Sequence, residues 1–169
     1  MQRTQKITAI GIVATPPIFC LGLIMYGSWL PTSHSATSSA EIGAPAAVVF
    51  DLVADPIQAS RWRPGVERVE TLERVGGRPW YREHGRQPLT IEVREIQRPH
   101  RYVTAIVDHP DLGGTWTWTF EPTPSGTQIT ILEDGEVYNP LFRAVASLTH
   151  SQTAAMDAQL SALKTYFTP

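Results

Sequence analysis

The chain has 169 residues, 42% hydrophobic and 18% charged, with 14 Lys+Arg against 16 Asp+Glu and a formal net charge of −2. That length suits one domain able to bury its own core, and dispersed arginines on a mildly acidic chain argue against nucleic acid as a partner. The single Cys20 permits neither an internal disulfide nor a multi-cysteine metal site.

Ile7 to Leu30 is 24 residues without a charge, preceded by Arg3 and Lys6 and followed by Pro31-Thr32-Ser33. As a helix it would rise roughly 36 Å, enough for a hydrocarbon core of about 30 Å with some tilt. Pro16-Pro17 would kink it, and Tyr26 and Trp29 fall near its outer end, where amphipathic rings favour the interface. A cleaved signal peptide is the rival reading. Against it, the apolar run exceeds the usual h-region, and the small residues Ser38-Ser39-Ala40 lie well beyond the run. The expectation is an N-terminal transmembrane anchor over residues 1–32, with membrane contact through 7–30. Positive charge ahead of the span predicts a cytoplasmic N-terminus and an extracytoplasmic domain, residues 33–169.

Ser33–Ala40 reads as linker or as the start of a first strand, with moderate strand propensity from Thr37 to Ile42. Pro45 opens a short helix with Val48, Val49, Leu52 and Val53 on one apolar face, and Asp55-Pro56 ends it and starts a second short helix closing near Arg61-Trp62. From Val66 the period becomes two. Strands are predicted at Val66–Arg74, Arg78–Gly85, Leu89–Gln97, Tyr102–Asp108, Thr115–Glu121 and Thr127–Val137, joined by short turns and therefore antiparallel. In Thr115–Glu121, Trp116, Trp118 and Phe120 share one face and the threonines the other.

After Val137, Asn139 can cap a helix and Pro140 supplies its first turn. No Gly or Pro follows until Pro169, and Leu141, Val145, Leu148, Met156, Leu160, Leu163 and Phe167 keep helical spacing. The pattern predicts one continuous C-terminal helix of roughly 40 Å lying on the apolar sheet face.

The element order resembles the START-like or SRPBCC superfamily, polyketide cyclase/dehydrase-type proteins included. The residues that carry the resemblance are Ala44-Pro45, Asp55-Pro56, Arg61-Trp62-Arg63-Pro64, Gly113-Gly114-Thr115-Trp116-Thr117 and the stretch from Glu133 to Pro140. It covers about residues 37–167. It implies an α+β helix-grip fold: a curved antiparallel sheet of about seven strands wrapped on the long C-terminal helix, with two short helices after the first strand. It also implies a hydrophobic cavity between sheet and helix for lipids, isoprenoids, polyketides or other apolar ligands, without fixing one chemistry.

The aromatic residues Trp62, Trp80, Trp116, Trp118 and Phe120 are candidates for lining such a cavity, or for plain core. Glu133, Tyr138 and Arg143 would stand at its mouth, able to orient a ligand or act as acid and base; otherwise they form a capped corner with Arg143 paired to an acid. His150, near the edge of the helix stripe, is a further candidate contact. The histidines lack metal-ligand spacing, and no nucleophile elbow, phosphate loop or dinucleotide fingerprint is present, so neither metal nor cofactor is expected. Three functions fit: a membrane-anchored binder of a small hydrophobic ligand, a cyclase/dehydratase-type enzyme using Glu133, Tyr138 or Arg143, and a non-catalytic accessory module of a membrane complex.

Overall fold

The period-two stretch from Val66 onward folds as expected into consecutive antiparallel strands. The computed structural model describes residues 16–149 and 153–168, with backbone alone for 16–19, 74 and 75. Helix α1 (Pro16–Trp29) is followed by β1 (Ser33–Ile42) and α2 (Ala46–Val53). A 3₁₀ turn (Pro56–Gln58) then runs into α3 (Ala59–Trp62). Six strands follow: β2 (Val66–Val75), β3 (Arg78–Gly85), β4 (Leu89–Gln97), β5 (Arg101–Val107), β6 (Leu112–Thr123) and β7 (Gly126–Val137). The described chain closes with α4 (Pro140–Thr149) and α5 (Ala154–Tyr166).

The seven strands form one sheet in the order β1-β7-β6-β5-β4-β3-β2. The Ser/Thr tract is strand from Ser33 onward, not linker, because it pairs with β7 without interruption from Ser33↔Glu136 to Ile42↔Thr127. Pairing with a neighbour overrides weak local propensity. In β6 and β7 the registers Tyr102↔Trp118 and Trp118↔Ile131 bring Trp116, Trp118 and Phe120 onto the inner face beside Ile129 and Ile131. The core there is tight: Phe50 meets Phe120 edge-on at 5.2 Å, and Trp118 stacks on Phe120 at 6.4 Å.

On α2 the buried face is Ala46, Val49, Phe50 and Val53, not the expected face with Val48, which is 51% exposed. Asp55 accepts from the Ile57 amide at 3.0 Å and so starts the 3₁₀ turn, as the acid-proline pair predicted.

The predicted continuous C-terminal helix is corrected. It is two helices with different partners. In α5, Met156, Leu160 and Leu163 are buried in the same core cluster as Ile42, Phe120 and Ile131. In α4 the expected stripe of Leu141, Val145 and Leu148 does not enter the core; Val145 and Leu148 are exposed, and Ala144 is the buried residue. Helix α4 ends at Thr149 and α5 takes Thr153 as its N-cap, a residue type that favours caps over helix interiors.

Helix α4 packs on α1 instead. Gly27 lies so close to Pro140 that an added Cβ would stand 1.7 Å from the Pro140 carbonyl oxygen, so glycine is required there. Arg143 Nε donates to the Gly27 carbonyl at 2.8 Å, and Tyr26 Oη lies 3.2 Å from Ser147 Oγ. Helix α1 has 14 residues, a rise of about 21 Å. Among the described residues no helix is long and apolar enough to cross a membrane. The first part of the expected anchor, Ile7 to Thr15, lies outside the described residues.

Candidate functional site

Toward the N-terminal end of α5 the inner packing opens into a cleft of about 380 Å³. Leu89, Ile91 and Ile106 of the sheet, Leu112 and the half-buried Trp116 give it an apolar wall, and Ala155 and Gln159 of α5 cover it. A second hollow of about 450 Å³ adjoins it, bounded by Leu30, Pro31, His34, Phe142, Arg143 and Ala146. Gln87, Leu112, Glu133 and Ala155 border both, so the two meet at Glu133.

Glu133 is on the inner face of β7, in phase with Ile129 and Ile131 and opposite Trp116 and Ala36. Its side chain is 18% exposed, and burial raises its pKa above the usual carboxylate range; a hydrogen bond with Trp116 and the charge of His34 oppose the rise. His34 Nε2 stands 3.8 Å from Glu133 Oε1. Its ring fills the space over Gly135, where an added Cβ would lie 2.4 Å from His34 Cε1. Gly135 keeps β7 in unbroken register, so it is space for an imidazole and not a bulge.

A second polar group lies deeper. Arg63, at the end of α3, pairs with Glu83 on the inner face of β3, the side chains 17% and 6% exposed. The phenols of Tyr81 and Tyr102 stand near this pair. Burial drives the Tyr81 phenol well above its ordinary pKa and pushes Tyr102 up to about 12, so both stay protonated and neutral. Gln159 Oε1 is shielded from solvent with no hydrogen-bond partner among the described residues. A donor on a bound molecule would satisfy it.

The structure sorts the sequence candidates. Trp116 and Glu133 border the cleft, and Arg143 borders the adjoining hollow. Trp118 and Phe120 are buried core, and so is Trp62, which meets Trp118 edge-on at 6.4 Å. Trp80 is not a cavity residue. With Tyr81 and Glu83 buried inward, alternation turns Trp80 to the other face, opposite Glu92. Tyr138 is also outside the cleft: it donates to Glu136 at 2.5 Å on the outer face, above Gly113. Arg143 has no acid partner among its hydrogen bonds; it donates to the carbonyls of Gly27, Val137 and Tyr138 at 2.8 to 3.0 Å. His150 lies outside the described residues. Among the described residues no three His, Cys, Asp or Glu side chains gather as a metal site.

Sequence reasoning missed Arg63, Glu83, His34 and Gln159. The available signal was parity: Glu83 shares its face with Tyr81, so an inward tyrosine brings an inward acid that needs a nearby cation.

Comparison with known proteins agrees with this architecture. Residues 33–168 match the family described as polyketide cyclase/dehydrase and lipid transport. Among solved structures, the chain is similar to the di-domain ARO/CYC BexL from the BE-7585A biosynthetic pathway, with a TM-score of 0.68 and 19% identity. That match covers 86% of this chain and 53% of BexL, so the chain spans about half of that protein. The Zhui aromatase/cyclase of Streptomyces sp. R1128 matches with a TM-score of 0.65 and 18% identity, over 79% of this chain and 93% of that one. A START superfamily protein from Mycobacterium smegmatis matches with a TM-score of 0.63 and 18% identity, over 79% and 97%. No curated protein sequence matches the chain. At these identities the structural likenesses speak for the fold, while the family model accounts for nearly every residue from β1 onward. The chain belongs to the polyketide cyclase/dehydrase and lipid transport family, and its fold is START-like.

Proposed function

We propose that this chain is a membrane-anchored binding protein for a small, mostly apolar ligand with a polar end, held in the cleft between α5 and the sheet. The observation that carries the reading is the cleft itself. Its volume of about 380 Å³ lies in the range of small-molecule sites, roughly 300–1,000 Å³. Its wall is largely aliphatic and aromatic, with polar groups set along it, the Arg63–Glu83 pair, Glu133 and Gln159 among them. Burial of apolar ligand surface, at about 25 cal/mol per Å², supplies affinity, and the polar groups set orientation. The uncharged run Ile7–Leu30 supports an anchor with the N-terminus cytoplasmic and the domain outside.

The test is organic extraction and native mass spectrometry of the purified chain. A small apolar molecule should be recovered from the parent protein and lost from Ile106→Trp, which fills the cleft. Parent protein that is empty and takes up no apolar probe overturns the proposal.

Glu133 favours a second reading, a cyclase/dehydratase-type enzyme. A carboxyl whose pKa burial raises, set beside an apolar cleft, is suited to proton transfer. In that case Glu133→Gln abolishes turnover and leaves ligand binding intact, whereas a simple binder shows a change in affinity alone. Tyr138, on the outer face, has no part in either reading.

A further inference from the structure

Two helices carry apolar side chains that the rest of the described protein leaves uncovered. On α1, Leu21 and Met25 are 60% exposed and Trp29 is 89% exposed, one stripe at a spacing of four. On α4, Phe142, Val145 and Leu148 recur every third residue and are 45–59% exposed. The sequence from Cys20 to Leu30 has no charged residue, and α4 has one, Arg143, whose guanidinium is turned to three backbone carbonyls. A helix resting on protein in water hides an apolar face and shows a polar one; a helix apolar all round is buried in protein or in lipid.

Several observations select lipid as the occupant. The uncharged sequence continues upstream from α1 to Ile7, beyond which stand Lys6 and Arg3. Tyr26 and Trp29 lie at the end of the uncharged run, just before Pro31-Thr32-Ser33, where interfacial aromatics belong. Helix α1 is fastened to α4 by the Gly27–Pro140 contact and the Arg143 bond, so whatever surrounds α1 also meets α4. The second hollow borders on this junction, between Leu30, Pro31, Phe142 and Ala146.

We infer that the α1–α4 pair seats on a lipid bilayer with Phe142, Val145 and Leu148 in its interface, and that apolar ligand passes between bilayer and cleft through the adjoining hollow. The loading step rests on the ligand-binding reading above; the bilayer contact does not.

The experiment uses the full chain in phosphatidylcholine vesicles, with Cys20→Ser and a single cysteine for an environment-sensitive fluorophore at Val145→Cys. A label at Glu121→Cys, at the opposite end of β6 from Leu112, is the control. Doxyl-labelled phosphatidylcholine should quench the label at 145 about threefold more than the label at 121, as expected for a residue in the acyl boundary. Equal quenching at the two positions overturns the bilayer contact. So does shielding of the 145 label from iodide that rises with protein concentration without vesicles, since a second copy then covers the face.

Loading is followed with Nile red by energy transfer from tryptophan. Val145→Glu with Leu148→Glu, neither of which lines the hollow, should slow its transfer from vesicles about tenfold by weakening interfacial contact. Uptake of Nile red added from dilute aqueous solution should match the parent. An unchanged transfer rate overturns loading through this face. Absence of Nile red binding by either route overturns the cleft reading and the loading with it, while the quenching result is judged by itself.

Discussion

At the scale of single residues, Glu133 is the group whose surroundings are most at odds with its charge. Its folded pKa is raised by burial, so its contribution to stability is fully present below the usual carboxylate range and is lost as pH rises through the elevated value. Glu133→Gln removes that loss. Its melting temperature should match the parent near pH 4 and exceed it by about 2–4 °C at pH 7, measured by thermal unfolding at both. Equal melting temperatures at pH 7 would show that Trp116 and His34 fully offset the burial. Two glycines make a second contrast. An alanine methyl at 135 meets the end of the movable His34 side chain, whereas at Gly114 it meets the Asp134 carbonyl at 2.2 Å on a backbone with φ +112°. Gly135→Ala should cost about 1 kcal/mol and displace the imidazole from Glu133, visible by NMR as a change in the titration of the Glu133 carboxyl. Gly114→Ala should cost about 3 kcal/mol or more in denaturant unfolding.

Among the elements, the closing helix is where pattern and packing part. Leu148 and Leu160 hold equivalent places in the sequence stripe, yet Leu148 is 59% exposed and Leu160 is 3% exposed. In detergent, Leu160→Ala should destabilise the chain by about 2–5 kcal/mol, and Leu148→Ala should stay within about 0.5 kcal/mol. Equal losses would mean that α4 shares the core with α5. The stripe could not reveal the division, because a helix period states which residues align and not what they meet. The covering of α4 by α1 depends on a glycine at 27 and on the carbonyls that Arg143 reaches, and neither leaves a hydrophobic signature. The strands were legible for the opposite reason: each carries its own alternation, and short turns leave antiparallel pairing as the sole arrangement.

For the molecule as a whole, the order of elements and the grip of sheet on helix could be read in advance, because Pro45, Asp55-Pro56 and the Gly- and Pro-rich turns mark nearly every boundary. The site was half legible. Trp116 and Glu133 are found where the alternation places them, while Trp80, a candidate for the lining, stands on the other face of β3 and the Arg63–Glu83 pair passed unnoticed. Ion pairs across long sequence gaps are set by tertiary approach, and strand parity in β3 becomes certain once Tyr81 is seen to be inward.

The two hollows share a border formed by Glu133, Gln87, Leu112 and Ala155. Under the proposed ligand-binding reading, that shared border makes the protein a ruler. A molecule short enough to rest in one compartment is indifferent to the width of the passage, and a longer chain must thread it. Leu112→Trp, which thickens the partition from the wall opposite α5, should reject long-chain apolar probes in a fluorescence titration while short ones of the same headgroup bind as before. The length at which rejection begins measures the natural guest.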